Sequence, residues 1–430
     1  MAPTAVVMNM FYTGIGIARS LGEHGVPVIG LTSQRGIYGN FTRYAKTVFC
    51  PDSRNEPDDL LRYLLDMGAK RGERSIIFPT RDDDVLFLDR FREELYRYFI
   101  LAVPEHSAVQ ACLNKWETYQ AAVAAGVPAP KCWLIEGEAE LGRILPEVTY
   151  PCVLKPVAAY QWRRGRNWEL VGGRKAICVT SRDELLAEYA AIAQADERAL
   201  LQEMVPGGDD SLLIAACYLD RHSNWVAGFN TQKLVQVPES FGTGCIVQTA
   251  HRPELIEPTA RLLKHMRFTG IAEVEYKWNA AKKEYQLIEI NPRPWDQHRL
   301  GNACGVDLIY LAYAERAGMP APAVTTRTAV YKWVAEDTFL TTALRLLWRR
   351  DPKLRALFRL ARGRRIYAIW SAQDPLPFLA YLVTRFIPGL IGNAVRSFWT
   401  ALKTRLFRNT GPIQKDLSNE RHFEKSNISG

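Results

Sequence analysis

The sequence lacks several features that would place it in a common class of protein. Its eight cysteines lie far apart, with no CxxC pair and no zinc-ligand spacing. Cysteines scattered through a chain of 430 residues are typical of buried thiols in a reducing cytosol rather than of a disulfide framework. No basic segment precedes the short apolar stretch at the N-terminus, so we expect no signal peptide.

Long apolar runs are also absent. A helix that spans a bilayer needs about 18 or more apolar residues in succession, and the best stretch, residues 376–407, is interrupted by Arg385, Pro388 and Gly389. A transmembrane helix is therefore disfavoured. With 47% hydrophobic and 23% charged residues, the chain has the composition and length of a globular protein of two or three domains.

Acidic residues are scarce in the C-terminal third. Residues 339–408 contain 14 lysines and arginines but two aspartates, although the formal net charge of the whole chain is +9. Leucines and aromatic residues alternate there with arginines at helical spacing, which suits basic amphipathic helices on an anionic cytoplasmic membrane surface. The alternative is that these helices pack on the protein body or on a partner subunit. We expect no nucleic-acid binding, because no known binding module accompanies the charge.

The N-terminal region alternates strands and helices. Residues 5–31 predict a strand, a turn with Gly14 and Gly16, a helix and a second strand. The third glycine of a dinucleotide fingerprint is missing, so a tight turn beneath a parallel sheet is favoured over NAD binding. Further on, Asp82–Asp84 follow a buried strand, where they either cap a helix or hold an amino or hydroxyl group of a substrate. We expect an open, mostly parallel sheet that ends near residue 105.

The most informative stretch is LIEINPRP, residues 287–294. Side chains alternate along a strand, so Glu289, Asn291 and Arg293 project from one side. Glu275 ends the preceding strand, and a hairpin would bring it alongside them. Two carboxylates and an amide oxygen suit Mg²⁺ that bridges phosphates. The guanidinium neutralises the remaining phosphate charge. The alternative is a solvated outer face of an antiparallel sheet.

The central region supplies cations and a glycine-rich segment. Lys115 stands at the start of a helix, and a strand delivers Lys155 just before a proline. Residues 161–175, which end with Lys175, are rich in glycine and arginine and lack apolar periodicity. This pattern predicts a mobile loop that folds over a polyphosphate through backbone N–H groups and cations.

A second strand edge follows. Gln202 and Glu203 end a strand that leads through Val205 into a glycine turn, an edge suited to hydrogen bonds with a purine. Either Asp209 or Asp210 could then reach a ribose hydroxyl, and Lys233 lies in a later strand. The order of these parts, which ends in E-x(13)-E-x-N-x-R, resembles the ATP-grasp superfamily, in particular its D-aspartate-ligase-like carboxylate–amine ligases. The resemblance covers residues 5 to 318.

We expect an α/β fold in four parts. The basic helical region (321–410) and a polar, disordered tail (411–430) are predicted from composition. For the rest, the resemblance implies a pre-ATP-grasp βα domain (1–108) and a two-lobed α+β ATP-grasp domain (109–320). It also implies ATP and Mg²⁺ as cofactors, with Mn²⁺ as a substitute. Residues carried over as nucleotide ligands are Lys115, Lys155, Lys175, Gln202, Glu203, Val205 and Asp210 (or Asp209). Those carried over as metal ligands are Glu275, Glu289 and Asn291.

The remaining positions concern the reaction. The resemblance makes Lys233 a phosphate ligand and Arg293 the group that stabilises the transferred phosphoryl. His298 follows the metal strand, where it either orients a substrate or acts as a base, or is a satisfied structural histidine. The implied reaction activates a carboxylate as an acyl phosphate, which an amine attacks. Such chemistry needs positioning and charge neutralisation, and no Ser-His-Asp arrangement.

Two rival functions stay open. One keeps the fold but uses bicarbonate, as a carboxylase or carbamoyl-forming enzyme, although no biotin-carrier motif or glutaminase region is present. The other is a nucleotide-binding membrane adaptor without turnover. The favoured interpretation is a cytoplasmic ligase, held at the inner membrane face by residues 339–408, that acts on small-molecule or lipid-linked substrates of the envelope. A homo-oligomer is compatible with it.

Overall fold

The computed structural model describes residues 2–163, 165–239 and 241–389. The chain divides into two compact units, Met1–Ala380 and Tyr381–Gly430. The described start of the second unit is helical and includes a π-helical turn at Leu382–Phe386. Arg164, the basic residues beyond Gly389 and the tail predicted to be disordered lie outside the described residues.

The first five strands form one parallel sheet in the order β3-β2-β1-β4-β5. The central strands β1 and β4 have the sequences AVVM and SIIF and are buried throughout, as expected for a sheet covered on both faces. The mostly parallel N-terminal sheet predicted from the sequence is therefore confirmed. The strands are β1 Ala5–Met8, β2 Val28–Thr32, β3 Lys46–Phe49, β4 Ser75–Phe78 and β5 Phe99–Leu101.

Six helices accompany this sheet and lead to the next part of the chain. They are α1 Tyr12–Glu23, α2 Pro57–Arg71, α3 Asp82–Arg90, α4 Arg92–Tyr96, α5 His106–Leu113 and α6 Lys115–Ala124. The sequence had predicted Gly14 and Gly16 in the turn before α1. Both lie within α1 instead. A Cβ atom at Gly16 would lie 2.5 Å from Nε2 of His298. This glycine therefore permits close packing of α1.

A four-stranded antiparallel sheet follows, in the order β6-β9-β7-β8. Residues 161–175, predicted to be a mobile loop, contain two short helices, and Trp162 and Val171 anchor the segment in the core of this lobe. The elements are β6 Cys132–Ile135, α7 Glu138–Ile144, β7 Cys152–Pro156, α8 Ala159–Trp162, α9 Asn167–Leu170, β8 Ile177–Val179, α10 Arg182–Ala193 and β9 Ala199–Glu203.

The largest sheet has seven strands in the order β14-β13-β10-β11-β12-β15-β16. Its pairs are antiparallel except β15 and β16, which run parallel. The strands are β10 Leu212–Leu219, β11 Trp225–Val237, β12 Thr243–Ala250, β13 Gly270–Asn279, β14 Glu284–Asn291, β15 Tyr331–Val334 and β16 Arg364–Tyr367. The helices are α11 Ile256–His265, α12 Arg299–Cys304, α13 Leu308–Arg316, α14 Glu336–Trp348, α15 Lys353–Leu360 and α16 Leu376–Tyr381.

The basic C-terminal region is more closely integrated than the sequence indicates. Where a helical extension was predicted from residue 321, β15 and β16 join the large sheet. The inner faces of α14 and α15 pack on β12 through Ala343 and Leu357, in a cluster with Cys245 and Ile246. Within the part of the chain that the structure describes, no helix combines the length and apolar character needed to cross a bilayer.

A buried ion pair joins this region to the N-terminal sheet. Arg19 on α1 donates from Nε to Asp374 Oδ2 at 3.0 Å, and both side chains are almost fully buried. The Asp374 carboxylate also accepts from the Thr42 hydroxyl at 2.6 Å and from the backbone N–H of Arg43 at 2.9 Å. Burial lowers the pKa of Arg19, which Asp374 opposes. Asp374 thus compensates a charge that would otherwise be isolated.

We therefore expect Asp374→Ala to lower the free energy of unfolding by roughly 3–5 kcal/mol, because it leaves the Arg19 charge buried and unpaired. Denaturant unfolding monitored by circular dichroism measures the change. The control is Asp59→Ala, which removes the same group from an exposed pair with Arg62 and should have a much smaller effect. Equal effects of the two substitutions would contradict the prediction.

Candidate active site

One cavity of about 490 Å³ is lined by the N-terminal domain, the four-stranded lobe and the large sheet. Most of the polar residues predicted from the sequence line it. The predicted residues in its wall are Lys115, Lys155, Lys175, Gln202, Glu203, Val205, Lys233, Glu275, Glu289, Asn291 and Arg293. The fold therefore brings together side chains that are up to 178 positions apart in the chain.

The acidic wall of the cavity is formed by β13 and β14. The register of this antiparallel pair places Glu275 opposite Glu289 and Glu273 opposite Asn291. Residues two apart on a strand share a face, so all four side chains lie on the same side of the sheet. The alternative of a solvated outer face is excluded for Glu275, which is 8% exposed.

Lysines from two other elements pair with these carboxylates. Lys233 on β11 lies 2.7 and 2.8 Å from the two oxygens of Glu275. Lys115, the first residue of α6, lies 3.2 Å from Glu289 Oε2. Burial opposes ionisation of Glu289, but Lys115 and Lys233 outweigh it and lower the pKa of Glu289. Likewise, burial would lower the pKa of Lys233, but Glu275 raises it.

Glu273 is a site residue that the sequence analysis missed. It is buried, lines the cavity, and accepts a hydrogen bond from Asn291 Nδ2 at 3.0 Å. Burial and the neighbouring Glu275 carboxylate raise the pKa of Glu273 well above its usual range. The sequence did carry the signal, because Glu273 precedes Glu275 by two positions on the same strand.

The donor set fits a hard divalent cation that arrives with phosphate. Within the described residues, no three His, Cys, Asp or Glu side chains are grouped so that they could hold a metal by themselves. Mg²⁺ usually takes one or two carboxylates and completes its shell with water and substrate phosphates. Glu275, Glu289 and the Asn291 amide oxygen supply that type of partial set.

Arg293 lies at the end of the cavity formed by the N-terminal domain. Its Nε donates to Asp82 Oδ1 at 2.7 Å, and its Nη2 donates to Asn291 Oδ1 at 3.4 Å. Burial opposes the charge of Asp82, but Arg293 lowers the pKa of this carboxylate. Asp84, by contrast, accepts from the backbone N–H groups of Thr80 and Arg81. Asp84 is thus structural, whereas Asp82 faces the site.

Two further lysines line the cavity. Lys155 on β7 is 8% exposed, and burial and the nearby Lys115 lower its pKa to about 8. Lys175 also lines the cavity, 3.4 Å from the Thr243 hydroxyl. Arg174, in contrast, is held by Glu188 through two hydrogen bonds of 2.9 and 2.8 Å. Lys155 and Lys175 are therefore placed to meet an anion.

The sequence offers two aspartates, Asp209 and Asp210, as the ribose contact. Asp209 lines the cavity, whereas Asp210 does not. The Asp209 carboxylate accepts from the backbone N–H of Gln236 at 3.0 Å and from its Nε2 at 2.8 Å. The choice between the two aspartates could not be made from sequence, because both stand in one short turn.

His298 is not brought to the cavity. It is 2% exposed, with Nε2 3.3 Å from the Thr13 carbonyl oxygen of α1. Burial lowers the pKa of His298 to about 4, so it is neutral near pH 7. The structure favours the interpretation as a structural histidine, because His298 precedes α12 and packs beneath Gly16. Its neighbours Asp296 and Gln297 line the cavity instead.

Comparison with known proteins identifies similar sequences and structures. The family described as ATP-grasp in the biosynthetic pathway with Ter operon matches residues 226–338. The D-aspartate ligase of Enterococcus faecium (strain Aus0004) is 22% identical over 266 residues, which are 59% of this chain and 62% of that protein. The match therefore spans less than two thirds of this curated relative.

Two solved structures share the fold. Biotin carboxylase from Campylobacter jejuni, in a complex with β,γ-ATP, has a TM-score of 0.60 at 16% identity, covering 74% of this chain and 72% of that one. The biotin carboxylase domain of Hydrogenobacter thermophilus 2-oxoglutarate carboxylase, solved with MgADP, ADP and bicarbonate, has a TM-score of 0.60 at 16% identity, covering 77% and 74%. These structural matches show a shared fold, and the sequence similarity to the ATP-grasp family model lies in residues 226–338.

Proposed function

We propose that this protein is an ATP-dependent ligase that activates a carboxylate as an acyl phosphate and joins it to an amine. The observation that carries the proposal is the convergence of three groups in one cavity: the acidic face of β13 and β14, the lysines, and Arg293. The similarity to a D-aspartate ligase supports the carboxylate–amine class.

Each part of the cavity has a role in this reaction. Lys155 and Lys175 neutralise the triphosphate, while the strand edge from Gln202 to Val205 meets the adenine. Glu275, Glu289 and Asn291 would hold Mg²⁺, which would supply neutralisation of phosphate charge. Arg293 stabilises the negative charge that develops on the phosphoryl group as it moves to the carboxylate. The amine then attacks the acyl carbon and phosphate leaves.

A second candidate uses bicarbonate in place of an organic carboxylate. The structural neighbours that favour it are carboxylases, and one was solved with a bicarbonate anion. The two candidates differ in the acceptor and share the phosphoryl transfer. A nucleotide-binding adaptor without turnover is less favoured, because the acidic set and Arg293 are complete and a disused site would be expected to lose members.

The substrates and the cellular location of the protein are inferred as follows. We infer small-molecule carboxylate and amine substrates, with an acceptor of the envelope or attached to a lipid as the narrower form. We also propose that the protein lies in the cytoplasm at the inner membrane face. It would self-associate into a homo-oligomer and accept Mn²⁺ in place of Mg²⁺. Only the basic C-terminal helices support the membrane context.

The first test is ADP release by the purified protein with Mg²⁺-ATP, across a panel of amino acids, amines and bicarbonate. We expect one acceptor pair to stimulate turnover. Glu289→Ala should reduce that turnover by at least 100-fold, about 2.7 kcal/mol in transition-state stabilisation, because it removes a carboxylate from the phosphoryl-transfer site.

The matched control is Glu284→Ala, at the other end of β14 and outside the cavity wall. It should keep wild-type turnover. Stimulation by bicarbonate without an amine would favour the carboxylase. If ATP binds but none of these acceptors stimulates turnover, a further arm offers lipid-linked acceptors. No stimulated turnover in that arm either would contradict the ligase and favour the adaptor.

A further prediction follows from the pKa of Lys155. In the nucleotide-free protein this lysine loses its proton as the pH rises through about 8, and the triphosphate favours its charged form. The affinity for ATP should therefore fall above pH 8, by up to about tenfold per pH unit. Titration calorimetry from pH 7 to pH 9.5 measures the trend.

Lys155→Arg should remove this pH dependence, because a guanidinium stays charged throughout the range. Lys282→Arg, at a half-exposed lysine outside the cavity wall, should keep the wild-type profile. Parallel pH profiles for wild type and Lys155→Arg would show that another group is responsible.

A further inference from the structure

The outer faces of α14 and α15 carry large apolar side chains in solvent. On α14, Leu344 is 39% exposed, Leu347 59% and Trp348 80%. These positions are spaced by three and four residues and so share one helical face. On α15, Phe358 is 51% exposed. The inner faces of both helices already pack on the large sheet, so the outer faces are not needed to build the core.

The same segment of the chain has a high density of exposed positive charge. Between positions 345 and 365 a single acid, Asp351, accompanies nine basic residues, all exposed: Arg345, Arg349, Arg350, Lys353, Arg355, Arg359, Arg362, Arg364 and Arg365. Lys353 pairs with Glu239 at 3.3 Å. None of the eight arginines forms an ion pair within the ranges that the structure describes. We call this set, with the four apolar residues, the basic surface.

We propose that the basic surface docks on an anionic lipid bilayer, a function that does not depend on the ligase activity. Arginines meet lipid phosphates, and leucine and tryptophan between them enter the apolar boundary beneath the head groups. A nucleic acid would satisfy the arginines but would leave Leu344 and Leu347 in water.

The test is co-sedimentation of the full chain with vesicles made of equal parts phosphatidylglycerol and phosphatidylcholine, beside vesicles of phosphatidylcholine alone. We expect binding to the anionic vesicles, and its loss when NaCl is raised from about 0.1 M to about 1 M, where the Debye length falls to about 3 Å. Arg345→Gln with Arg349→Gln should weaken binding roughly 25-fold, at about fivefold per charge.

A second variant tests the apolar part. Leu347→Ala with Trp348→Ala should weaken binding at least about tenfold through the loss of buried apolar area. Both positions are exposed, so circular dichroism should show an unchanged fold. The controls are Lys264→Gln with Arg267→Gln near α11, and Tyr96→Ala, at a tyrosine that is 57% exposed beside the N-terminal sheet. The controls should bind as wild type does.

Three outcomes would overturn the proposal. They are no binding of the wild type to anionic vesicles, equal weakening by the control variants, and binding to a DNA duplex but not to vesicles. Since no nucleotide or acceptor is present, the result is independent of whether the protein is a ligase. A protein that binds vesicles but fails the ADP assay would retain the basic surface and lose only the proposed activity.

Discussion

Charge neutralisation between buried lysines and the carboxylates of β13 and β14 is the interaction on which the rest of the site depends. Glu275 and Glu289 face each other across a strand pair, where two unpaired negative charges would each cost several kcal/mol. Lys233 comes from β11 of the same sheet, and Lys115 from the start of α6. The Lys115–Glu289 pair therefore fixes the start of α6 against the large sheet. A metal and a nucleotide would use the same charges.

The contacts between the N-terminal domain and later parts of the chain include two ion pairs with low solvent exposure. Asp82 pairs with Arg293 inside the cavity, and Arg19 pairs with Asp374 in the core. The first pair sets the position of the Arg293 guanidinium in the cavity, while the second holds the C-terminal segment against α1. The N-terminal domain thus supplies a wall of the site, and its parallel sheet need not bind a nucleotide of its own.

The sequence predicted the acidic face because strand alternation is a local rule. Glu289, Asn291 and Arg293 follow it directly, and the hairpin supplied Glu275. Facts that depend on distant packing could not be predicted in this way. Whether His298 turns to the cavity or to α1 depends on the space left by Gly16, 282 positions earlier. The strands β15 and β16 were not predicted in the region expected to be helical, since β15 pairs with β12, which lies far away in sequence, and β16 pairs with β15.

The attachment of β15 and β16 has a consequence for the large sheet as a whole. Without them, β12 would be the last strand, and its unpaired N–H and C=O groups would face solvent beside Cys245 and Ile246, which α14 and α15 now cover. An open, apolar strand edge of that kind invites pairing with other chains. Charged side chains on an edge strand disfavour such pairing, and β16 places the exposed Arg364 and Arg365 at the new edge.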